Sequence, residues 1–461
     1  MKDLVILAGG KGLRLGGLTK KNQKTMLNFA KIPFLRYLLN YYCKFNINKI
    51  FIITSFNSKN VFKEFHKKKI NLVDIFCVNQ QKPNGTAKAL QLVKNKVSKE
   101  FILANGDTFF ETNLDKLLKL KLKKNYGCMV LIRKNKDIFS QKLNTLSIKN
   151  KFVTFNSSTS SLVSSGVMLL SKKIFNFIDN KSTSFENDVL QKKIEQKKIL
   201  GFEENAFFLD IGSKSNYKKG QNLWIQKFKK PAIFLDRDGV INKNRNDYNY
   251  KISNFRFNKG ILKLMKIFLI KNFYIFIVTN QAGIAKKKYS QNYFLKLQKF
   301  IKFKLDINNI KIDHVEFCPH HPNAKDKKLK KKCSCRKTNN GMIKKILSNW
   351  IIDKKNSLMV GYKITDKICA KKSGINVIPS RLSVLTKRIN DQRGICMFCG
   401  QCERSCSVYA CFSSSSSLVI PSLKGGLVDL YTDSMVRKVD TDNNGIATGV
   451  SFINKKNRCI L

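Results

Sequence analysis

Short apolar runs separated by longer mixed stretches recur along the first 380 residues of the chain. The stretches between them are long enough for helices, and asparagine or aspartate often follows a run directly. Apolar runs of roughly four to eight residues with such boundaries predict buried strands that alternate with helices. The runs are residues 4–7, 50–54, 72–78, 101–104, 206–209, 232–235 and 275–278.

The order of these runs predicts the fold class. Strands that alternate with helices form mostly parallel sheets with helices on both faces. We therefore expect an α/β protein with two consecutive Rossmann-like three-layer domains and a small C-terminal fragment of uncertain fold. Ligands bind at the carboxyl ends of the strands in such sheets, so the residues that directly follow each run are the candidate site residues.

Two carboxylates follow the run at 232–235. Asp236 and Asp238 are two positions apart, so both can project to the same side and reach one substrate. One can attack phosphorus while the other protonates the leaving oxygen, and a divalent cation can offset the collected negative charge. A solvated turn is the alternative interpretation, because Asp and Gly are common turn residues.

Three thiols and an imidazole form a second candidate cluster. Cys318 and His320 are followed by Cys333 and Cys335, which is a Cys3His set with short spacing in each half. This pattern predicts tetrahedral zinc, with free thiols in a basic loop as the alternative. Four protein ligands leave no open position, so we expect a structural ion that braces the neighbouring loop.

Residues 231–378 resemble the haloacid dehalogenase superfamily, specifically its D-glycero-D-manno-heptose 1,7-bisphosphate phosphatase branch. The resemblance rests on FLDRDGVIN at 234–242, IFIVTNQAGIA at 275–285, the Cys/His loop and VGYKITD at 360–366. It implies a nucleophile that forms an aspartyl phosphate, a general acid/base, two residues that hold phosphoryl oxygens, a charge-stabilising lysine and a second phosphate clamp. In that order, these are Asp236, Asp238, Thr279 with Asn280, Lys337 and Arg336. The implied magnesium ligands are Asp236, Asp238 and Asp366.

One residue departs from that family's pattern. The fourth motif of the family reads Gly-Asp-Lys-x-Thr-Asp, and its first Asp helps to hold magnesium, whereas this chain has Tyr362. A phenol is a poor magnesium ligand at neutral pH. Either Asp366 substitutes for it and turnover is slow, or the domain has lost its chemistry.

The first run leads into a glycine-rich turn at residues 8–15. Its backbone N–H groups can cradle phosphates beside Lys11 and Arg14, although it is neither a Walker A loop nor a dinucleotide fingerprint. A surface loop after a buried strand is the alternative interpretation. Asp107 and Asp210 follow two other runs, where paired carboxylates can hold the magnesium of a nucleoside triphosphate.

Residues 2–224 resemble the sugar-1-phosphate nucleotidyltransferases. The matching motifs are LAGGKGLRL at 7–15, QKTM at 23–26, GTA at 85–87, NGDTFF at 105–110 and FLDIG at 208–212. The resemblance implies that Arg14 and Lys24 neutralise the triphosphate, that Asp107 and Asp210 bind magnesium, and that a sugar phosphate attacks the α-phosphorus. The implied nucleotide-binding residues are Leu7, Ala8, Gly9, Gly10, Gly12, Gly85, Thr86 and Asn105. The family's Glu-Lys pair, which commonly holds the sugar phosphate, is absent near residues 155–158.

Length and composition limit the remaining possibilities. A chain of 461 residues predicts about three domains, which we place at 1–226, 231–380 and 394–461. No apolar stretch is long enough for a membrane span or signal peptide, which predicts a cytoplasmic protein with reduced thiols and no membrane partner. The net charge of +58 comes from lysines spread along the chain. We expect no nucleic-acid partner, but anionic substrates are attracted, and the oligomeric state stays open.

The last segment, residues 394–461, contains four cysteines with ferredoxin spacing, at 396, 399, 402 and 406. The stretches at 399–402, 420–421, 426–430, 436–439 and 449–452 instead resemble an internal piece of a glucose-methanol-choline flavin oxidoreductase. We interpret the segment as a non-catalytic fragment. An iron-sulfur module is the alternative.

Together the two resemblances imply consecutive steps on one chain. A heptose bisphosphate phosphatase yields the heptose 1-phosphate that a nucleotidyltransferase can activate, with GTP as the expected nucleotide. The sequence therefore predicts a bifunctional enzyme of carbohydrate metabolism that serves surface polysaccharide or lipopolysaccharide formation. The alternatives are another sugar nucleotidyltransferase joined to a histidinol-phosphate-type phosphatase, and a degenerate binding protein without catalysis.

Overall fold

The alternating pattern folds into the predicted α/β class. The structure is a computed structural model, and it describes residues 1–20, 22–133, 145–155, 161–243, 248–377, 388, 393–395, 418–426 and 428–454. Its contacts divide the chain into two units, Met1–Ile378 and Pro379–Leu461. The first unit contains two large sheets with helices, of ten and five strands, one after the other along the chain. It also contains two small two-stranded sheets, which pair Thr108–Phe110 with Phe208–Asp210 and Asn28–Phe29 with Ile32–Pro33.

The first half of this unit carries the strands β1 (Lys2–Leu7), β2 (Asn28–Phe29), β3 (Ile32–Pro33), β4 (Ile47–Thr54), β5 (Lys68–Ile70), β6 (Val73–Asn79), β7 (Glu100–Asn105), β8 (Thr108–Phe110), β9 (Gly127–Arg133), β10 (Leu146–Lys149), β11 (Phe152–Phe155), β12 (Leu162–Ser171), β13 (Ile199–Glu203) and β14 (Phe208–Asp210). Its α-helices are α1 (Phe34–Tyr42), α2 (Lys59–Phe65), α3 (Thr86–Gln91), α4 (Leu114–Lys119), α5 (Gln191–Glu195) and α6 (Lys214–Phe228). Short 3-10 turns occupy Leu13–Thr19, Lys24–Met26 and Lys172–Phe177, and a π-helical turn occupies Phe185–Leu190.

The large sheet of this half is mixed. Its strand order is β10-β11-β13-β9-β12-β7-β1-β4-β6-β5. Strand β1 pairs in parallel with β4 and β7, whereas β12 runs antiparallel to both β7 and β9. The predicted parallel arrangement therefore holds around β1, where Leu4, Val5 and Ile6 are buried because helices cover both faces.

A separate two-stranded antiparallel sheet joins β8 to β14, with Asp210 opposite Thr108. The backbone N–H of Ile211 also donates to the carbonyl of Asp107. This pairing brings two segments about 100 residues apart in sequence to one place. The two carboxylates that the sequence assigned to magnesium are therefore neighbours.

The second half of the unit carries β15 (Ala232–Leu235), β16 (Tyr274–Asn280), β17 (His314–Cys318), β18 (Leu358–Val360) and β19 (Asn376–Val377). Its helices are α7 (Ile261–Ile270), α8 (Ala282–Ala285), α9 (Gln291–Ile307), α10 (Gly341–Leu347) and α11 (Ile364–Lys371), with 3-10 turns at Ile252–Asn254 and Lys327–Leu329. The strands pair in parallel in the order β17-β16-β15-β18-β19. Strand β15 is central and buried throughout, so its carboxyl end opens into the middle of the sheet edge.

The two halves pack directly against each other. Asn71, in the first half, donates from Nδ2 to the carbonyl of Ile312 (3.0 Å), and its backbone N–H donates to Nδ1 of His314 (3.2 Å). The neighbouring Leu72 is buried in the hydrophobic core of the second half. The predicted first and second domains are thus parts of one unit.

A buried lysine adds a polar contact to this interface. Lys302 of α9 donates from Nζ to the carbonyls of Cys43 and Phe45, which follow the C-terminal end of α1. Lys44 forms an ion pair with Asp313 nearby, with 2.6 Å between Nζ and Oδ1. A cation at the end of a helix compensates the partial negative charge of its last carbonyls.

The second unit is described only in part. It contains α12 (Ile420–Lys424) and an antiparallel hairpin of β20 (Ser434–Thr441) and β21 (Ala447–Asn454). The cysteines at 396, 399, 402 and 406 lie outside the described residues. The oxidoreductase-like interpretation and the iron-sulfur alternative therefore stay predictions.

Candidate active sites

A cavity of about 530 Å³ opens at the carboxyl ends of β15 and β16. Its lining contains every residue that the sequence assigned to phosphoryl transfer in this half except Asp366. The lining residues are Asp236, Asp238, Tyr248, Asn249, Thr279, Asn280, Ala282, Lys286, His321, Arg336, Lys337, Tyr362, Lys363 and Thr365. Acidic, basic and hydroxyl groups from four sequence motifs therefore converge on one space.

Asp236 follows β15 directly and is 6% exposed. Its Oδ1 accepts hydrogen bonds from the backbone N–H of Arg237 and from Nζ of Lys337, both at 2.8 Å. Burial raises the pKa of Asp236, the carboxylates of Asp366 and Asp238 raise it further, and Lys337 opposes them. A carboxylate in this position is ready to react when a cation keeps it ionised.

Lys337 is buried between two carboxylates. Its Nζ lies 2.8 Å from Asp236 Oδ1 and 2.6 Å from Asp366 Oδ1, and it donates to the carbonyl of Val278 at 2.9 Å. The side chain of Asn280 holds the lysine's backbone, because Oδ1 accepts from the N–H and Nδ2 donates to the carbonyl of Lys337. Asn280 therefore positions Lys337, a role that the sequence did not predict.

Asp238 has a different set of partners. Arg237 donates to it from Nε at 3.1 Å and from Nη2 at 2.7 Å, and Asn242 and Gln281 donate from their amides at 3.2 and 3.0 Å. Although burial raises the pKa of Asp238, Arg237 and these amides outweigh it and hold the pKa below its usual range. This carboxyl is thus kept ionised next to Asp236.

Gln281 and Tyr289 complete this network and were missed by sequence reasoning. Gln281 also donates to Oγ1 of Thr279 at 2.9 Å, and its own Oε1 accepts from the hydroxyl of Tyr289 at 2.7 Å. Their positions in the sequence could have indicated the roles of Arg237 and Gln281, because Arg237 lies between the paired carboxylates and Gln281 follows Asn280. Nothing in the sequence pointed to Tyr289.

The three carboxylates of this site outnumber its two buried cations. Asp236, Asp238 and Asp366 are gathered against Lys337 and Arg237. Carboxylate oxygens are the preferred ligands of hard divalent cations, so this donor set fits such an ion.

Tyr362 stands at the mouth of the cavity. Its side chain is 46% exposed, and a Cβ added to Gly239 would come within 2.5 Å of its ring, so the ring packs on that glycine's backbone. The nearby Asp366 is buried, pairs with Lys337, and accepts from the backbone N–H of Lys363 at 3.1 Å. Asp366 is therefore already engaged at the start of α11.

The predicted Cys3His set is brought together. The sulfurs of Cys318, Cys333 and Cys335 lie 3.2 to 3.5 Å apart, and Nδ1 of His320 lies 3.2 Å from the sulfur of Cys335. All four ligand atoms lie within 4.8 Å of one another. Ligands about 2.3 Å from a tetrahedral ion are about 3.8 Å apart, so the cluster has the dimensions to hold a metal ion.

A second cavity, of about 390 Å³, lies in the first half of the unit. It is lined by Leu7, Ala8, Gly10, Lys11, Gly12, Leu13, Arg14, Lys24, Thr25, Asp107 and Gly212. Gly12 has a φ of 66°, a left-handed conformation that favours glycine in this turn. The glycine-rich turn and two predicted cations thus face one space.

Lys24 and Asp107 form an ion pair in this cavity, with 2.5 Å between Nζ and Oδ2. Asp210 accepts from the backbone N–H of Gly212 at 2.8 Å. Burial raises the pKa of Asp210, and the nearby carboxylate of Asp107 raises it further. Their oxygens fit a divalent cation that brings a triphosphate.

Four predicted nucleotide-binding residues are absent from this lining. Gly9 packs on Ser55, and Asn105 lies against Gly166. Thr86 donates to Glu186 at 3.0 Å, and a Cβ on Gly85 would come 2.1 Å from the carbonyl of Thr183. In this structure Gly85 and Thr86 anchor α3 to the turn that starts at Phe185.

Comparison with known proteins gives the family. Over 138 residues the chain is 40% identical to the D-glycero-alpha-D-manno-heptose-1,7-bisphosphate 7-phosphatase of Campylobacter jejuni. The aligned region covers 30% of this chain and 74% of that protein. The chain belongs to the heptose-1,7-bisphosphate 7-phosphatase family. The beta-anomer enzyme of Haemophilus ducreyi is 35% identical over 147 residues, covering 32% of this chain and 80% of the relative.

The family of phosphatases accounts for only part of the chain. Residues 4–227 match the nucleotidyl transferase family. The crystal structure of HddC from Yersinia pseudotuberculosis is 25% identical and covers 49% of this chain and 100% of that one, with a TM-score of 0.43. The family match over residues 4–227 and the phosphatase relatives together identify an enzyme that joins a nucleotidyltransferase domain to a phosphatase domain. No helix among the described residues has both the length and the apolar character to cross a membrane.

Proposed function

We propose that the chain catalyses two consecutive steps of sugar-nucleotide formation. Residues 231–380 remove the 7-phosphate of D-glycero-D-manno-heptose 1,7-bisphosphate, and residues 1–226 transfer GMP from GTP to the heptose 1-phosphate that remains. The convergence of Asp236, Asp238, Thr279 and Lys337 on one cavity is the observation that carries the proposal. We place the reaction in the cytoplasm, in the supply of surface polysaccharide or lipopolysaccharide.

In the phosphatase step Asp236 attacks phosphorus and forms the aspartyl phosphate as the bond to the sugar oxygen breaks. Asp238 gives that oxygen a proton and later takes one from the water that hydrolyses the intermediate. The negative charge of the bound phosphate disfavours ionisation of Asp238 and so offsets Arg237, which lowers the pKa of that carboxyl. Asp238 can then carry the proton for the first step. Lys337 and Thr279 stabilise the charge on the phosphoryl oxygens.

Magnesium is the proposed ion at this centre, held by Asp236, Asp238 and Asp366. When bound, it supplies positive charge that offsets the phosphoryl oxygens and keeps Asp236 ionised. Zinc is the proposed ion of the Cys3His cluster, where it would hold together the two ends of the loop at 318–335, and Arg336 and Lys337 directly follow that loop.

In the nucleotidyl-transfer step the glycine-rich turn, Arg14 and Lys24 hold the triphosphate. The phosphate of the sugar attacks the α-phosphorus, and pyrophosphate leaves. Asp107 and Asp210 are the proposed magnesium ligands, supported by the β8–β14 pairing that places them side by side and by the effect of Asp107 in raising the pKa of Asp210. Lys24 pairs with Asp107 in this structure, and it would be free to contact the triphosphate if that carboxylate held magnesium instead.

The test separates the two activities on the full-length protein. Asp236→Asn should lower phosphate release from heptose 1,7-bisphosphate by about 10³-fold or more, because the amide cannot form the acyl phosphate. Pyrophosphate release from GTP and heptose 1-phosphate should stay unchanged. Asp107→Asn should give the reverse pattern. If either substitution removes both activities equally, the assignment of the two sites is wrong.

Substrate choice tests the rival assignments. Histidinol phosphate should be hydrolysed at least about tenfold less efficiently than the heptose bisphosphate, since the cavity carries several basic groups beyond those that contact the reacting phosphate. Preference for histidinol phosphate would support the other phosphatase. The presence of Tyr362 in the cavity favours the other alternative, a degenerate binding protein without catalysis. Binding of both substrates without release of phosphate or pyrophosphate would establish that alternative.

A further inference from the structure

A buried glutamine lies behind the wall of the cavity in the first half of the unit. Gln23 directly precedes Lys24 and is 1% exposed. It does not line that cavity, whereas Ala8, Lys24 and Thr25 do. The side chain has no role in the nucleotidyl-transfer step described above. Because buried amides need hydrogen-bond partners, its partners show what it holds in place.

The amide of Gln23 joins three segments of the chain. Its Nε2 donates to the carbonyl of Ala8 and, at 2.7 Å, to Oγ1 of Thr54 at the end of β4. Its Oε1 accepts from the hydroxyl of Thr25 at 3.4 Å. A carbonyl can only accept, so the amide nitrogen must face Ala8 and the amide oxygen must face Thr25. The direction of every bond in this group is therefore determined.

These bonds also orient the peptide between Ala8 and Gly9. The C=O and N–H of a trans peptide point in opposite directions, so a carbonyl held against Gln23 turns the N–H of Gly9 the other way. Among the described residues this N–H has no hydrogen-bond acceptor. A carbonyl oxygen turned into the cavity would repel phosphate, whereas backbone N–H groups attract it. Gln23 thus keeps the repulsive group of this peptide engaged in the wall.

The same residue anchors the short turn that carries Lys24. The carbonyl of Gln23 accepts from the backbone N–H of Met26 at 2.9 Å, and its side chain accepts from Thr25. From this turn Lys24 reaches Asp107, with 2.5 Å between Nζ and Oδ2. The position of this cation therefore depends on a side chain that does not itself reach the cavity.

We propose that Gln23 is a positioning residue of the nucleotidyltransferase, which orients the Ala8–Gly9 peptide and Lys24 to receive the triphosphate. The inference rests on the proposed function of residues 1–226 and adds the side chain that holds its phosphate-binding groups in place. Loss of the amide leaves the buried carbonyl of Ala8 without this donor. The peptide can then turn its oxygen toward the phosphates.

Two substitutions of similar size separate hydrogen bonding from packing. Gln23→Met removes the donors at every pH, whereas Gln23→Glu can donate to Ala8 only while its carboxyl is protonated. Burial raises the pKa of a glutamate at this position, so protonation is favoured at pH 6 and lost by pH 9. Relative to wild type at each pH, Gln23→Met should release pyrophosphate from GTP and heptose 1-phosphate about tenfold more slowly at both values.

Gln23→Glu should be nearly as active as wild type at pH 6 and about tenfold slower at pH 9. A role that depends only on side-chain size gives no such pH dependence. If the activity of Gln23→Glu relative to wild type is the same at both pH values, the proposal is wrong.

Gln298→Met is the matched control. Gln298 of α9 is also 1% exposed, and among the described residues neither atom of its amide has a hydrogen-bond partner. Its replacement should leave pyrophosphate release unchanged. If Gln298→Met slows the reaction as much as Gln23→Met does, the effect of Gln23 is a general loss of stability and the proposal is overturned.

Binding of inorganic tripolyphosphate with magnesium keeps this inference separate from the proposed activity. The probe has no base and no sugar, so it tests the phosphate-binding groups alone. Calorimetry should show that Gln23→Met weakens its binding about tenfold. This holds even if wild type transfers no nucleotide, an outcome that would refute the proposed activity alone. Unchanged binding in Gln23→Met, or no binding by wild type, would refute the positioning role.

Discussion

Replacing Lys337 with methionine tests the charge balance of the phosphatase cavity. The side chain is almost completely buried, and its Nζ contacts Asp236, Asp366 and the carbonyl of Val278 at 2.6 to 2.9 Å. Although burial lowers its pKa, the two carboxylates outweigh burial and raise it, so the lysine is charged in the folded protein. Methionine fills a similar volume and removes only the charge and its donors.

The expected loss of stability in Lys337→Met follows from the buried carboxylates that remain without a partner. Without Lys337, two buried carboxylates face each other with no cation, and removing one partner of a buried pair costs about 3–5 kcal/mol. The pKa of Asp236, already raised by burial, should rise further. Because protonation relieves the repulsion, the loss of stability should be largest above neutral pH and should shrink as the pH falls through the raised pKa.

Urea unfolding at pH 7.5 and pH 5 measures this effect. Lys345→Met is the control, because Lys345 also pairs with a carboxylate, Glu316, yet its side chain is 66% exposed. Glu316 is buried but keeps His314 as a second partner, so loss of the exposed lysine should cost about 1 kcal/mol or less. If Lys337→Met destabilises no more than Lys345→Met, or if its loss is the same at both pH values, the central role of the lysine is refuted.

Three further predictions concern the metal cluster, Tyr362 and the interface. The purified protein should contain about one zinc per chain, and Cys333→Ser should lower both zinc content and Tm; stoichiometric iron without zinc would contradict this. Tyr362→Asp should raise phosphatase kcat and lower the magnesium concentration for half-maximal rate, and no change in either would show that Asp366 suffices. Burial lowers the pKa of Lys302 to about 8. Between about pH 8 and pH 10.5 the unfolded chain binds more protons at this lysine than the folded protein does. Over this range the free energy of unfolding of wild type should therefore rise by up to about 3 kcal/mol relative to that of Lys302→Met, and a pH-independent difference would contradict this.

Sequence patterns located seven of the strands, though not the others, and the residues of the candidate phosphatase site. The run at 232–235 coincides with β15, because a central parallel strand must be apolar on both faces. The carboxyl ends of parallel strands lie on one edge of the sheet, so Asp236 and Thr279 meet although they are distant in sequence. Strand periodicity and motif position together were sufficient for this part.

Pairings between distant segments were not predictable in this way. The run at 206–209 predicted a strand that overlaps β14, but β8 has only three residues and gave no separate signal, so the antiparallel pairing of β8 with β14 was not predicted. Gly85 and Thr86 were assigned to the nucleotide, but their contacts with Thr183 and Glu186 depend on how α3 packs. The Asn71 contacts between the halves likewise depend on the tertiary structure.

The two carboxylates of the Asp-Arg-Asp segment show why residue type alone does not define a role. Burial and neighbouring carboxylates raise the pKa of Asp236, whereas Arg237 holds the pKa of Asp238 low. The proposed chemistry needs the reverse order, with Asp236 ionised and Asp238 carrying a proton. A cation beside Asp236 and a phosphate dianion beside Asp238 would each shift the balance in the required direction. Under the proposed mechanism the cavity would therefore become competent for phosphoryl transfer only when both ligands are bound, which would limit reaction of Asp236 in their absence.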